Sequence, residues 1–222
     1  MNLNYNYMIV KIIVQETIFN WKNPFNKNNI SEASGSGFFI YEHLIITNSH
    51  VVENCKDNNI IINIPAIGKK TFNVKIRCIY PNQDIALLEI IDYKSPYYFN
   101  LKNISRNIII NTPVITLGFP LGQDKLKLTK GIISGLDEGL IQTDAPINSG
   151  NSGGPLINIK NNKIIGINSS GVDLANNIGY AVPIHRVIEN IELLLKEKII
   201  HEPILDFSLS KMISNNDYLM IK

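Results

Sequence analysis

The chain has 222 residues, enough for one large domain or two small ones around a well-buried core. Hydrophobic residues make up 45% of it and charged residues 18%, which excludes a disordered tail or linker, and no apolar run approaches the roughly 18–20 residues that cross a bilayer as a helix. With 21 basic against 19 acidic residues the net charge is +2, and there is no basic stripe of the kind a nucleic-acid binder carries.

At the N-terminus the first charge, Lys11, interrupts the apolar stretch from Met8 to Val14. A secretory signal places positive charge first and then roughly 7–15 unbroken apolar residues. Tyr7 to Thr17 therefore reads as an opening strand, and with no targeting signal the cytoplasm is the default expectation. Short runs rich in Ile, Val, Phe and Tyr follow: Ile9–Val14, Gly37–Tyr41, Leu44–Thr47, Ile60–Ile64, Phe72–Tyr80 and Ile85–Ile91. Turn clusters such as Asn23-Pro24, Asn58-Asn59 and Ile67-Gly68 separate them. A second set comprises Pro113–Leu117, Lys127–Ser134, Leu140–Thr143, Pro155–Ile159, Lys163–Ile167 and Ile178–Val182, with a tight hairpin turn at Asn161-Asn162. Strands at this spacing, without long helical patterns between them, point to an all-β sandwich or barrels. Two six-stranded halves would divide near Asn103–Asn107. One helix is expected, from Ile184 to Lys198, where Val187, Ile188, Ile191, Leu194 and Leu195 recur at helical spacing. A short helical turn follows His50, and residues 199–222 read as a strand plus a loose tail. Cys55 and Cys78 are too few for a disulfide framework and read as reduced core thiols.

The strongest chemical signal is Gly150-Asn151-Ser152-Gly153-Gly154-Pro155. Glycines let backbone N–H groups turn toward one point with no side chain in the way. Such groups, here those of Gly150 and Ser152, can stabilise the oxyanion of a tetrahedral intermediate while the Ser152 hydroxyl attacks. The alternative is an ordinary Gly/Ser/Pro turn. A hydroxyl needs a base within hydrogen-bond reach. Of the four histidines, His43 sits in a polar turn, His185 starts the helix and His201 lies in the tail. His50 instead ends the apolar run Ile45-Ile46-Thr47-Asn48-Ser49, where a strand finishes beside a cleft. A carboxylate must then fix the histidine tautomer. Asp84 heads Asp84-Ile85-Ala86-Leu87-Leu88 at the mouth of an apolar strand; Asp57, Asp92, Asp124, Asp137, Asp144 and Asp173 compete, Asp144 most seriously because it lies close before the serine. We read Asp144 as a structural carboxylate near the site.

The order His50, Asp84, Ser152, and the blocks around it, resemble the HtrA/Deg serine proteases. The blocks are Gly35-Ser36-Gly37-Phe38-Phe39-Ile40, Thr47-Asn48-Ser49-His50-Val51-Val52, Asp84-Ile85-Ala86-Leu87-Leu88 and Gly150–Pro155. To these add Leu117-Gly118-Phe119-Pro120-Leu121-Gly122 with Thr129–Ser134, Ile141–Asn148 and Asn177–Pro183. The resemblance covers roughly residues 8–198. The start, Ile9-Val10-Lys11-Ile12, then Trp21 and Asn23-Pro24-Phe25, is similar to the plant-type Deg branch.

The resemblance implies a chymotrypsin/trypsin-like double β-barrel, two six-stranded antiparallel barrels at about residues 8–105 and 106–183, with a C-terminal helix at 184–198. Residues 199–222 would be a tail in which His201–Phe207 is similar to the opening of a PDZ domain, without the length that such a domain needs. It also implies an endopeptidase acting on unfolded or damaged polypeptides, with Ser152 as nucleophile, His50 as general base and Asp84 as its orienter. In relatives that cut after Arg or Lys an Asp stands six residues before the nucleophile; here Pro146 does, followed by Ile147. Ile147 and the strand Ile167-Asn168-Ser169-Ser170 would then form a small apolar pocket accepting Val, Ala or Ile. Digestive relatives carry Asp where Asn151 stands, so activity here would not need N-terminal processing but ordering of loops, for which Pro120–Lys127 and Gly135–Gly139 are the candidates. The family's protease domains commonly form a homotrimer through N-terminal aromatic contacts, for which Tyr5, Tyr7, Phe19 and Trp21 are available. Two other readings remain: a peptide-binding chaperone or scaffold with low turnover, and a narrow processing (maturation) protease. No Cys or His spacing suggests a metal, and the mechanism needs no cofactor.

Overall fold

Alternation of apolar residues along short strands governs what the chain can build. In Ile9–Ile18 (β1), Val10, Ile12 and Val14 are buried in one cluster, while Ile9 on the opposite face belongs to another. Opposite faces of one strand thus serve two different cores. A computed structural model describes residues 5–18, 29–53, 55, 59–102, 104, 106–171, 178–202, 209–211 and 219–221. Before β1 stands a single helical turn, Tyr5–Met8 (α1), so the opening strand begins slightly later than the sequence suggests.

The first barrel continues with Asn29–Phe39 (β2), Leu44–Thr47 (β3), Ile60–Asn63 (β4), Thr71–Tyr80 (β5) and Ile85–Ile90 (β6). It closes in the order β1-β2-β3-β6-β5-β4, all pairs antiparallel. The second is built from Pro113–Gly118 (β7), Lys127–Asp137 (β8), Leu140–Thr143 (β9), Pro155–Asn158 (β10), Lys163–Gly171 (β11) and Gly179–Pro183 (β12). It closes as β7-β8-β9-β12-β11-β10. The chain is thus an all-β double barrel of the chymotrypsin type, as the resemblance implies. Closure leaves no strand edge unpaired in either sheet.

Three apolar clusters hold this arrangement. Phe39, Ile45, Ile62 and Leu88 fill the first barrel; Val114, Ile141, Leu156 and Ile165 fill the second. Between the barrels lie Phe38, Leu87, Leu117, Phe119, Ile157 and Val182, all buried. Each such side chain contributes about 1.5–3 kcal/mol through removal of apolar surface from water. The aromatic residues near the N-terminus pack within the chain: Tyr5 stacks on Phe99 and Tyr7 tilts against Tyr97. Phe19, Trp21 and the Asn23-Pro24-Phe25 segment lie outside the described residues, as do Asp57 and Asp173.

The C-terminal helix departs from expectation. Two short helices, His185–Glu189 (α2) and Ile191–Lys196 (α3), stand where one from 184 to 198 was expected. The reason is Asn190, whose side-chain amide and backbone N–H both donate to the Arg186 carbonyl while its backbone leaves helical geometry. Asparagine competes with the helix ladder in this way. Beyond α3, Ile199 pairs with Ile79, and the Glu202 carboxylate accepts from the Tyr80 hydroxyl at 2.6 Å and Gln83 Nε2 at 2.9 Å. A further two-stranded hairpin joins Leu209–Lys211 (β13) to Leu219–Ile221 (β14). Cys55 and Cys78 form no disulfide, and burial, with a smaller contribution from Glu197, pushes the Cys78 thiol up to about 11.

Candidate active site

The site lies where ends of strands from both barrels meet. After β3 the chain enters a tight helical turn, Ser49–Val51, which carries His50. Before β6 a second such turn, Pro81–Gln83, ends in Asp84 with a left-handed backbone, φ 51°. Aspartate tolerates this region better than most residues. The two turns bring His50 Nδ1 to 2.9 Å and 3.1 Å from the two carboxylate oxygens of Asp84.

Asp84 also accepts from the Ser49 hydroxyl at 3.1 Å, the His50 N–H at 3.2 Å and the Ser169 hydroxyl at 2.7 Å, while its own carbonyl accepts from Asn48 Nδ2 at 3.0 Å. Burial works against its charge, but the bonds from His50 and Ser169 outweigh it and hold the carboxyl below its ordinary value. The bond to Asp84 raises the His50 pKa, burial partly offsets the rise, and the charges of Asp84 and Glu53 add to it. An orienting carboxylate locks the tautomer so that Nδ1 donates and Nε2 is left as base. Ser169 reaches this carboxylate from β11 of the other barrel. The sequence marks it only as a pocket residue; the topology brings it to Asp84 instead.

Ser152 is half-buried, and its hydroxyl donates to the Ser169 carbonyl at 2.5 Å, not to His50. Attack would need a turn about χ1, a motion on the picosecond-to-nanosecond scale. The loop before it is pinned at its carbonyls. Ser149 C=O accepts from the Leu121 N–H at 2.7 Å, and Asn151 C=O accepts from the Gly154 N–H at 3.0 Å. A peptide unit is planar and trans, so fixing a carbonyl fixes the following N–H on the opposite side. Those following groups are the N–H of Gly150 and of Ser152, and among the described residues neither meets an acceptor. Ser36 completes the clamp: its hydroxyl donates to Gly150 C=O at 2.6 Å and its N–H to Ser152 C=O at 2.8 Å. The Gly-Ser-Gly block thus bridges the first barrel to the serine loop.

Glycine is compulsory at 153. Its φ is +86°, and a Cβ there would sit 2.1 Å from the Ser36 carbonyl oxygen and 2.2 Å from Thr47 Oγ1. Gly153→Ala should therefore cost about 2–4 kcal/mol from overpacking and left-handed strain. Circular-dichroism melts should show Tm lowered by roughly 5–15 °C.

The residues expected to line a pocket divide. Ile147 is buried beside Gly179. Asn168 is fully buried, with its amide on the Pro155 carbonyl, so its side chain braces the serine loop instead of facing a cleft. Ser169 is engaged by Asp84 and Ser152, and the side chain of Ser170 lies outside the described residues. Of the rival carboxylates, Asp124 is bonded to Lys11, Asp137 to the Tyr180 hydroxyl and Asp144 to the Ile132 N–H, while Asp92 is exposed. Gly135 belongs to β8 and Gly139 to the turn after it, so the Gly135–Gly139 segment is largely strand.

Comparison with known proteins agrees with this architecture. Residues 35–167 match the trypsin-like peptidase domain, which is more than half of the chain. The chain belongs to the trypsin-like peptidase family. Among curated trypsin-like relatives, the serine protease DegP homolog of Plasmodium falciparum is 32% identical over 188 residues, 79% of this chain and 21% of that protein. The chloroplastic protease Do-like 1 of Arabidopsis thaliana is 30% identical over 192 residues, 79% of this chain and 42% of that protein. The chain thus spans less than half the length of these relatives. In fold it resembles a solved structure of the HtrA-type protease AlgW with a tripeptide, with a TM-score of 0.70, 22% identity, and coverage of 86% of this chain and 61% of that one. The fold and the relatives place this trypsin-like peptidase in the DegP-like group, and a plant member is among them. No helix among the described residues is long and apolar enough to cross a membrane.

Proposed function

We propose that the chain is a serine endopeptidase that hydrolyses peptide bonds of unfolded or damaged polypeptides. The observation that carries this reading is the pairing of His50 Nδ1 with Asp84 at 2.9 Å next to a serine loop whose Gly150 and Ser152 N–H groups have no internal acceptor among the described residues. Ser152 Oγ attacks the scissile carbonyl as His50 Nε2 takes its proton. The oxyanion that forms is bound by the two N–H groups. His50 then returns the proton to the leaving amine, and a water repeats the sequence on the acyl-enzyme.

Burial of Ile147 and the presence of Pro146 support a preference for small apolar side chains before the scissile bond. A cationic side chain entering such a pocket would lose its hydration with no carboxylate to replace it, which costs several kcal/mol. The test is to treat the purified chain with a fluorophosphonate probe and then map casein cleavage by mass spectrometry. Labelling, with cuts mainly after Val, Ala or Ile, is expected. Cuts mainly after Lys or Arg would overturn the pocket assignment. A folded chain that neither labels nor cleaves would favour the peptide-holding chaperone or scaffold, and a single cut in one partner protein would favour the narrow processing enzyme.

A further inference from the structure

Lys11 is a charged residue in a strand of Ile and Val, and only 8% of it is exposed. Lysine is almost never buried to this extent unless it is paired. It shares a face of β1 with Ile9, the face directed to the core between the barrels. Its Nζ donates to the Gly122 carbonyl at 2.5 Å and to the Asp124 carboxylate at 2.9 Å. The bond from Lys11, with its charge, also holds the Asp124 carboxyl below its ordinary value. Both acceptors lie in the loop between β7 and β8, so a first-barrel side chain grips a second-barrel loop.

That loop contains the turn Pro120–Gly122, and in it Leu121 is left-handed, φ 54° and ψ 31°, followed by Gly122 at φ +69°. A non-glycine residue in this region is strained and persists only where its surroundings hold it. The Leu121 side chain supplies little of that hold, being 76% exposed. Its N–H is the group that pins Ser149 C=O at 2.7 Å. Gly150, with φ +93°, has the backbone freedom to let the Ser149–Gly150 peptide turn over once that pin is lost.

We propose that Lys11 is a positioning residue for the oxyanion hole: by holding Gly122 and Asp124 it keeps the Leu121 N–H on Ser149 C=O, and so keeps the Gly150 N–H free for the reacting carbonyl oxygen. The proposal rests on the endopeptidase reading. It touches neither substrate nor nucleophile, so its loss weakens the transition state and leaves substrate binding in place.

The test is Lys11→Met, which keeps the stem and removes the ammonium. Deleting one oxyanion donor outright costs about 10²–10³ in kcat, so loosening one should cost about 10–100-fold. We expect that fall in kcat on a peptide the parent chain cuts, with KM within about twofold. The Ki of a peptide aldehyde, whose hemiacetal oxygen occupies the same hole, should weaken in parallel. A merely structural lysine would change Tm and leave kcat per folded molecule and aldehyde affinity alone; that result overturns the proposal. If Lys11→Met does not fold, Asp124→Ala reads the same tether, because its side chain is 94% exposed and its removal leaves the cores intact. A fall in kcat of about two- to fivefold at constant KM supports the tether, and an unchanged kcat overturns it. A parent chain that fluorophosphonate does not label overturns the endopeptidase reading and this inference with it, whereas a labelled parent with unaffected variants overturns the inference alone.

Discussion

Replacing Ser152 by alanine lowers kcat/KM for peptide hydrolysis on the order of 10⁶-fold and abolishes fluorophosphonate labelling. Without Oγ no acyl-enzyme can form, and the two N–H groups alone retain a residual 10³–10⁴-fold or so over water. The change is gentle on the fold. Among the described residues the hydroxyl has one partner, the Ser169 carbonyl, and the side chain is only half-buried. One lost hydrogen bond costs about 1 kcal/mol, so Tm should move by roughly 2–4 °C. Activity lost with the melt retained separates chemistry from stability. A variant that still cleaves casein at the parent rate would show that Ser152 is not the nucleophile.

Asp84→Asn should cost about 10⁴-fold in kcat and displace the acid limb of the pH profile. Asparagine tolerates the left-handed φ of 51° at this position, so the backbone is not the source of the effect. Its amide, however, offers one acceptor where the carboxylate now takes hydrogen bonds from Ser49, from Ser169 and twice from His50. His50 must be neutral to act as base, and in the parent chain its pKa is raised above 6.5, first by the bond to Asp84. The parent kcat/KM should therefore decline as pH falls through a midpoint above 6.5. Removing the Asp84 charge takes away the main raising influence and leaves burial, which lowers the pKa, against only the smaller raising charge of Glu53, so the variant's residual activity should persist to lower pH. An acid limb at the same pH in both proteins would mean that His50 is not the titrating base.

The all-β class is legible because each half repeats short Ile- and Val-rich runs between turn residues, a pattern that fits a sandwich as well as barrels; the double barrel itself is implied by the resemblance to the HtrA/Deg proteases. Less legible was the start of β2. Apart from Ile30, Asn29–Ser36 is polar or small, and what makes it a strand is its register with β1, from Ile18↔Asn29 to Lys11↔Ser36. The break at Asn190 was hidden because the apolar spacing on either side of it stays helical. Within the site, His50, Asp84 and Ser152 were identifiable from their neighbours in sequence. Ser36 and Ser49 stand out only as members of the resembling blocks and Ser169 only as a pocket residue; their bonds to Gly150 and Asp84 are not legible, because hydroxyl groups acquire a role only through the partner that the fold supplies. In the sequence Lys11 interrupts an apolar run and belongs to the block Ile9-Val10-Lys11-Ile12, and neither feature points to its tether. Its partners are 111 and 113 residues away, beyond any local pattern.

Ser169 and Asp84 are bonded across the barrel boundary yet stand 85 residues apart in the chain. At a synthesis rate of about 5–20 residues per second, that separation corresponds to roughly 4–17 s on the ribosome. Throughout that interval the first barrel can emerge and close with its base and acid already paired, while the nucleophile and the clamp on the carboxylate are still being made. The hydrolytic centre is therefore complete only once β11 of the second barrel has been made. A nascent polypeptide, itself the unfolded material such an enzyme would cut, is in no position to cut itself or its neighbours.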